Sequence, residues 1–341
     1  MKILFFTRLF WPHVGGVEKH ISEISKRLIK KGYKITLLTT KYQSNLYTSE
    51  LVHGINVHRF RHPKIKYLGL LYSWFWLFKN IDLIKQSDII HIHDVFIWYW
   101  PFRIIFPSKK VYVTYHGRWG RYPIPLNDLL QKKIGAILSS GVISIGDYIS
   151  KNYGIKSDII SYGATDIPSK SLGKNEKLIV YVGRLDKDIG LMTLINAYKY
   201  YDDSNHHSNI KIEFCGDGEL ANECKKYGKV HGFVDPSPFY QKAKYCFASG
   251  YLTILEALAN KCLVFTAYDN PLQKDYYQLV PFKKYINISS NPVKLSQTLI
   301  GLSKNEKRAN TLIKNGYNWV KTQTWEKLTQ DYLKLWKSEE K

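Results

Sequence analysis

Apolar, β-branched runs alternate with amphipathic stretches along the whole chain. Lys2 to Thr7, Lys34 to Thr40, Asp88 to His93, Val111 to Tyr115, Val142 to Ile145 and Asp158 to Ser161 have the length and composition of strands. After the first of them, Val17, Ile21, Ile24 and Leu28 recur at helical spacing and the pattern stops at Gly32. This alternation predicts a parallel sheet with crossover helices. The turn-rich stretch Tyr162 to Lys174 reads as a linker. The pattern then restarts with Leu178 to Gly183, Ile210 to Cys215, Lys229 to Val234, Tyr245 to Ala248 and Cys262 to Ala267. The expected organisation is two doubly wound α/β domains, residues 1–166 and 167–317. A C-terminal helical segment follows, 318–341, that can pack back on the first domain. Trp319, Trp325, Tyr332 and Trp336 on that segment read as packing residues. Open α/β sheets bind ligands beyond the carboxyl ends of their strands, which puts the expected site in the cleft between the two domains.

The length of 341 residues suits two domains of ~150 residues, each with its own core. Charge then separates the halves. Residues 1–166 carry 24 Lys and Arg against 10 Asp and Glu, and residues 167–341 carry 26 against 18. A basic first half suits nucleic acid, anionic lipid or a phosphorylated ligand. Nucleic acid is set aside because no reading motif and no aromatic platform in a basic groove is present. The four cysteines, Cys215, Cys224, Cys246 and Cys262, form no CxxC pair and read as free thiols of an intracellular, cytoplasmic protein. Met1-Lys2 leads straight into a strand rather than a signal peptide, and no apolar run reaches the ~18 residues that span a bilayer. Two aromatic segments lie beside cations: Tyr67 to Phe78 follows Arg59, Arg61, Lys64 and Lys66, and Val95 to Phe106 precedes Lys109 and Lys110. Each fits an interfacial membrane contact or burial in the first core; the first leans to membrane, through Trp74, Phe75, Trp76 and Phe78, and the second to burial.

Candidate chemistry sits at strand ends. Gly15-Gly16 joins the first strand to its helix, where adjacent glycines allow close approach of a ligand and free N–H groups favour an anion; a plain turn is the competing reading. Arg184, in Val182-Gly183-Arg184-Leu185-Asp186, can aim its fork of donors at a diphosphate or can pair with Asp186 or Asp188 at the surface. Glu256 can accept hydrogen bonds from ribose hydroxyls, or can close a capping box with Thr253. His116, before Gly117, can face a ligand or be a satisfied polar residue.

Together with Glu18-Lys19-His20, Tyr162-Gly163-Ala164, Gly216-Asp217-Gly218, Gly232-Phe233-Val234 and Glu256-Ala257-Leu258, these residues resemble the family 4 glycosyltransferases of the GT-B fold over essentially the whole chain. The resemblance implies two Rossmann-like domains facing across a cleft and transfer of a hexose from a UDP- or GDP-sugar, with retention and without cofactor or bound metal. The Tyr67 to Phe78 segment and the basic first half point to a glycan or lipid-linked acceptor, at an anionic membrane surface. Gly15 and Gly16 are implied near the donor phosphates, His116 at the donor sugar, Arg184 on the diphosphate and Glu256 on the ribose. Two positions depart from the family: its usual lysine five residues after the arginine is Ile189, and its usual acid eight residues before the glutamate is Ala248. Lys187 or Lys274 can supply the missing cation. These departures keep open a non-catalytic nucleotide- or sugar-binding protein, and the scaffold also admits a nucleotide-sugar epimerase.

Overall fold

The first apolar run becomes the central strand of a parallel sheet. The computed structural model describes residues 1–63, 65, 68–117, 121–169, 173–204 and 209–337; Lys64, Lys66 and Tyr67 of the first aromatic segment lie outside them. In chain order the first unit contains β1 (Lys2–Phe6), α1 (Gly16–Lys30), β2 (Lys34–Thr40), β3 (Ser49–Val52), β4 (Ile55–Phe60), α2 (Leu68–Lys79) and α3 (Ile81–Lys85). It continues with β5 (Ile89–His93), α4 (Trp100–Ile105), β6 (Lys110–Tyr115), α5 (Leu126–Leu138), β7 (Gly141–Ile145), α6 (Asp147–Tyr153) and β8 (Ile159–Ser161). The strand order is β3-β4-β2-β1-β5-β6-β7-β8, parallel apart from the β3–β4 pair. Ile3, Leu4, Phe5 and Phe6 are buried, as expected of a strand covered on both faces.

The second unit contains β9 (Asn175–Val182), α7 (Leu191–Ser204), β10 (Lys211–Cys215), α8 (Ala221–Cys224), β11 (Gly228–Val230), α9 (Ser237–Lys242) and β12 (Ala243–Ala248). After these come α10 (Tyr251–Ala259), β13 (Leu263–Ala267), α11 (Pro271–Gln278), β14 (Ile286–Ser289), α12 (Pro292–Lys304) and α13 (Glu306–Val320). Its sheet is parallel throughout, in the order β11-β10-β9-β12-β13-β14. Both sheets are the doubly wound α/β type expected from the sequence. The stretch from Tyr162 onward is no free tether: Gly163, Ala164 and Thr165 are buried in the second unit, and the Thr165 N–H donates to the Gln323 carbonyl at 3.0 Å. The C-terminal segment is two helices rather than one. A polar turn at 321–324 separates α13 from α14 (Trp325–Lys337), and α14 belongs to the first unit, where it packs beside α1.

The aromatic segments depart from their sequence reading in detail. Trp74 and Trp76 point inward on α2: the Trp74 indole donates to the Ile97 carbonyl at 2.9 Å, and Trp76 stacks on Phe60 with ring centroids 5.1 Å apart. The exposed apolar residues of α2 are Leu68, Leu71, Tyr72, Phe75 and Phe78. Arg59 is no surface cation either. It is buried, pairs with Glu50 at 2.5 Å, and donates to the carbonyls of Trp11 (2.6 Å) and Tyr47 (3.2 Å). In the second segment Phe96, Trp98, Tyr99 and Phe102 are buried, while Ile104 and Ile105 are exposed. Among the described residues no helix is long and apolar enough to cross a membrane.

Glycines let the ends of β9 and β10 meet. Gly216 has φ +155°, and a Cβ there would fall inside contact distance of the Gly183 carbonyl oxygen, so a side chain meets both steric and conformational cost. Gly216→Ala is therefore expected to destabilise the protein by roughly 2–4 kcal/mol in denaturant unfolding. Gly173→Ala is the control, since a methyl group there would find nothing within 4 Å and the backbone φ is not positive. Its stability should stay within about 0.5 kcal/mol of wild type.

Candidate functional site

In the first unit the candidate residues lie beyond the carboxyl ends of β1, β5 and β6. Gly15 caps α1 in an extended conformation, and the Glu18 carboxylate, one turn in, lies over it where a Cβ would sit. Glu18 pairs with His13 at 3.2 Å, and this bond raises the His13 pKa against the opposing effect of burial. The helix start predicted to hold an anion thus already faces a carboxylate, a favourable arrangement with the helix dipole. Gly16 is exposed beside it.

His116 directly follows β6 and is half-buried, and a side-chain frame fixes its backbone. Asp94, just after β5, accepts from the His116 and Gly117 N–H groups at 3.2 and 3.4 Å and from Lys132 Nζ at 2.7 Å. Burial acts against ionisation of Asp94, but the Lys132 ammonium and the backbone N–H of Gly117 outweigh it and hold the carboxyl below its usual range. The Tyr148 hydroxyl donates to the His116 carbonyl at 2.8 Å. The imidazole Nε2 of His116 lies 3.0 Å from His93 Nδ1, and the His20 ring stands edge-on at 4.9 Å. Sequence reasoning misses Asp94, Lys132, His93 and His20 as site residues. The signal for two of them is His91-Ile92-His93-Asp94: alternate positions of a strand share a face, and the acid falls at the strand end.

Behind this cluster runs a buried hydrogen-bond chain. The Trp336 indole donates to His91 Nδ1 at 3.0 Å, His91 Nε2 meets Thr114 Oγ1 at 2.7 Å, Thr114 meets the Tyr332 hydroxyl at 2.8 Å, and Tyr332 meets His20 Nε2 at 2.8 Å. An indole can only donate, so His91 accepts at Nδ1 and, being neutral, donates from Nε2 to Thr114. Burial lowers the pKa of His20, His91, His93 and His116, that of His91 to about 3. The first unit therefore holds four neutral imidazoles. Among the described residues no three His, Cys, Asp or Glu side chains form a group that could hold a metal ion.

In the second unit Arg184 follows β9 and is exposed, with its guanidinium bonded to Asp186 and, at 3.1 Å, to Asp188. The surface pairing, one of the two sequence readings of this arginine, is thus present. The Tyr181 hydroxyl donates to the Arg184 carbonyl at 2.6 Å and fixes the loop. Lys187 donates its N–H to Glu219 at 3.0 Å and holds its ammonium 3.9 Å from the same carboxylate. Ile189 is 1% exposed and fills the core, so that position offers no side chain to a ligand. Ala248 is buried and pairs in register with Val182, next to the Gly183-Arg184 turn.

The capping box expected between Thr253 and Glu256 does not form. Helix α10 starts at Tyr251, so Thr253 is itself in the first turn and its hydroxyl bonds the Gly250 N–H at 3.2 Å and the Gly250 carbonyl at 2.8 Å. Glu256 lies in the body of the helix, half-buried, beside Tyr240, whose phenol pKa rises well above its usual value through burial first and the Glu256 carboxylate second. A carboxylate so placed does no capping.

Two family models match the chain: Glycosyltransferase Family 4 over residues 14–152 and Glycosyl transferases group 1 over residues 164–319. The chain belongs to the family 4 glycosyltransferases. Its two-domain Rossmann-like GT-B fold is shared with the sucrose-phosphate synthase of Thermosynechococcus elongatus (TM-score 0.76, 16% identity, covering 99% of this chain and 98% of that one). It is shared also with the Anabaena protein HepE, solved with UDP and glucose (TM-score 0.73, 14% identity, 99% and 100% coverage). A glycosyltransferase of Methanocaldococcus jannaschii is 21% identical over 98% of both chains. The gpi3 subunit of the phosphatidylinositol N-acetylglucosaminyltransferase of Schizosaccharomyces pombe is 31% identical over 87 residues, 25% of this glycosyltransferase and 19% of that protein. The chain thus spans about a fifth of that relative's length.

The neutral histidines set a pH dependence for this glycosyltransferase. Unfolded histidines titrate near 6.5, whereas His20, His91, His93 and His116 resist protonation in the fold. Their stabilising contribution is complete above pH ~6.5 and is lost as pH falls below it toward the depressed folded values, at ~1.4 kcal/mol per pH unit for each proton withheld. The unfolding midpoint should fall steeply between pH ~6.5 and ~5, and His91→Gln should flatten that slope by about one proton. A midpoint constant across the window would show that the cluster is already charged in the folded protein.

Proposed function

We propose that this glycosyltransferase transfers a hexose from a UDP- or GDP-sugar, with retention, to a hydroxyl of a glycan or lipid-linked acceptor. The observation that carries the reading is the fixed, exposed Arg184 at the carboxyl end of β9, the place where a doubly wound sheet presents ligand-binding groups. Its planar donor fork suits the charge that develops on a departing diphosphate. The N-terminal groups of α1 at Gly15-Gly16 serve the donor phosphates, Lys187 supports Arg184, Glu256 takes the ribose hydroxyls, and the neutral His116 takes the donor sugar. No resident metal enters this scheme. A UDP-sugar donor draws support from the HepE complex, and a lipid-linked acceptor from the name of the S. pombe relative. Free, buried thiols at all four cysteines suit action on the cytoplasmic side of a membrane.

One specific observation favours a second reading, a non-catalytic nucleotide- or sugar-binding protein. Ile189 and Ala248 are both buried and apolar, so neither family charge at those positions is replaced in place. Turnover of UDP-glucose and GDP-mannose with a panel of acceptors separates the two, since binding without turnover would leave only the second.

Arg184→Ala is expected to leave the fold intact, because the side chain is exposed, and to cut turnover at least ~30-fold. That corresponds to losing roughly 2 kcal/mol of charge-assisted stabilisation in the transition state. Unchanged turnover would mean that the diphosphate is held elsewhere. Glu256→Gln should weaken UDP or GDP binding in calorimetric titration while the melting temperature stays nearly constant. Affinity for both nucleotides unchanged from wild type would remove Glu256 from the site.

A further inference from the structure

We propose that the exposed apolar face formed by α2, α4 and α5 in the first unit docks on an anionic lipid bilayer, with α5 as its ridge. Helix α5 carries Leu126, Leu130, Ile134 and Ile137, 77%, 58%, 36% and 81% exposed. At ~100° per residue these four fall within one narrow stripe, and Gly135 falls on the opposite side. Gly135 is where the helix meets the core: a Cβ there would touch Phe96 at 3.0 Å and crowd the Tyr115 hydroxyl. The helix therefore seats itself through a glycine and turns its apolar stripe outward, the reverse of a helix covering a core.

Two neighbouring helices extend the surface. On α2 the residues Leu68, Leu71, Tyr72, Phe75 and Phe78 share one exposed face, and α4 adds Ile104 and Ile105. All three helices meet at the short turn Phe96–Trp98. Trp74 of α2 bonds Ile97, Phe78 of α2 lies 5.9 Å from Phe102 of α4, and Gly135 of α5 abuts Phe96. The connections from β4 to β5, β5 to β6 and β6 to β7 all step in one direction across the sheet, so right-handed crossovers put these helices on one face.

Charge selects the occupant. Among the described residues on and beside these helices, Arg61, Lys79, Lys85 and Lys133 are exposed cations against the exposed Asp82, which pairs with Lys85 at 3.6 Å. Lys79, at the end of α2, and Lys133, flanking the α5 stripe, are exposed, whereas Asp128 points away from the stripe. Side-by-side convex helices with aliphatic and aromatic residues, few hydrogen-bonding groups and a cationic border match the headgroup and acyl boundary of an anionic membrane. The proposal deepens, and for its purpose rests on, the reading of a lipid-linked acceptor; binding itself is measured without turnover.

The test is co-sedimentation of the full chain with vesicles of phosphatidylglycerol and phosphatidylcholine, compared with phosphatidylcholine alone, at low and high ionic strength. Wild type should partition to the anionic vesicles, less so at high salt. Leu130→Ser with Ile137→Ser should lower partitioning about tenfold or more, and Lys79→Glu with Lys133→Glu should lower it also, both with unchanged melting and unchanged UDP affinity. Because all four side chains are exposed, these variants should fold. Wild type that ignores anionic vesicles, or a serine variant that binds as wild type does, overturns the proposal. So does a wild-type oligomer that the serine variant dissolves, which would assign the face to a second copy of the chain. Vesicle binding without sugar transfer would sink the catalytic reading and leave the docking face; transfer to a soluble acceptor without vesicle binding would do the reverse.

Discussion

The first unit depends on a buried polar chain that has to be satisfied along its whole length. His91 and Thr114 project from the middle of the sheet, where a polar atom left without a partner costs about 1–3 kcal/mol. Their partners, Tyr332 and Trp336, come from a helix more than 200 residues later in the chain. Helix α14 is thus an integral part of the first unit. The donor-only indole sets the proton position on His91, and the chain ends on His20, whose ring stands against His116. Low pKa values follow from the same burial: a neutral ring can both donate and accept, and a charged one could not fit this pattern. His116 is therefore held by contacts that reach from the sheet centre to the C-terminal helix.

Central strands were legible in the sequence because burial on both faces leaves an uninterrupted apolar run, as in Ile3 to Phe6. Strand β4 was not, since His58 and Arg59 interrupt it; Arg59 is buried only because Glu50 and two carbonyls surround it, and none of these is visible as a pattern. The short β14 is hidden in the same way by Asn287 and Ser289. Strand-end candidates such as His116 and Arg184 were legible as positions, because doubly wound sheets present ligands there. Their partners were not. Lys132 lies 38 residues from Asp94, and only the folded chain shows that the two meet. Helix α2 is apolar nearly all round, so its sequence could not say whether Trp74 or Phe75 faces the core; Ile97 and Phe60 decide that.

At each place where the proposed function puts donor phosphates, a carboxylate of the chain is already present. Glu18 covers the start of α1, and Asp186 and Asp188 hold Arg184. A diphosphate binding there would exchange one anion for another, so the gain is the difference between two ion pairs rather than a whole one. For partly exposed pairs such as these that difference is smaller than a whole ion pair, and it favours a ligand with more than one negative charge and bidentate geometry over a single carboxylate.

The two departures from the family act on this same balance. Ile189 takes away a cation and Ala248 takes away an anion, so together they leave the net charge around Arg184 where the usual pair would have left it. Their effects are not equivalent, however. Under the proposed function, losing the lysine would leave Arg184 with fewer helpers on the diphosphate, while losing the acid would remove both a contact to the donor sugar and a charge that repels the phosphates. Ala248 pairs with Val182, two residues before Arg184, and is itself fully buried in its strand. Under the proposed function, the arrangement would keep the diphosphate end of a donor site and thin out the sugar end, and recognition of the donor sugar would then fall to groups other than the usual acid.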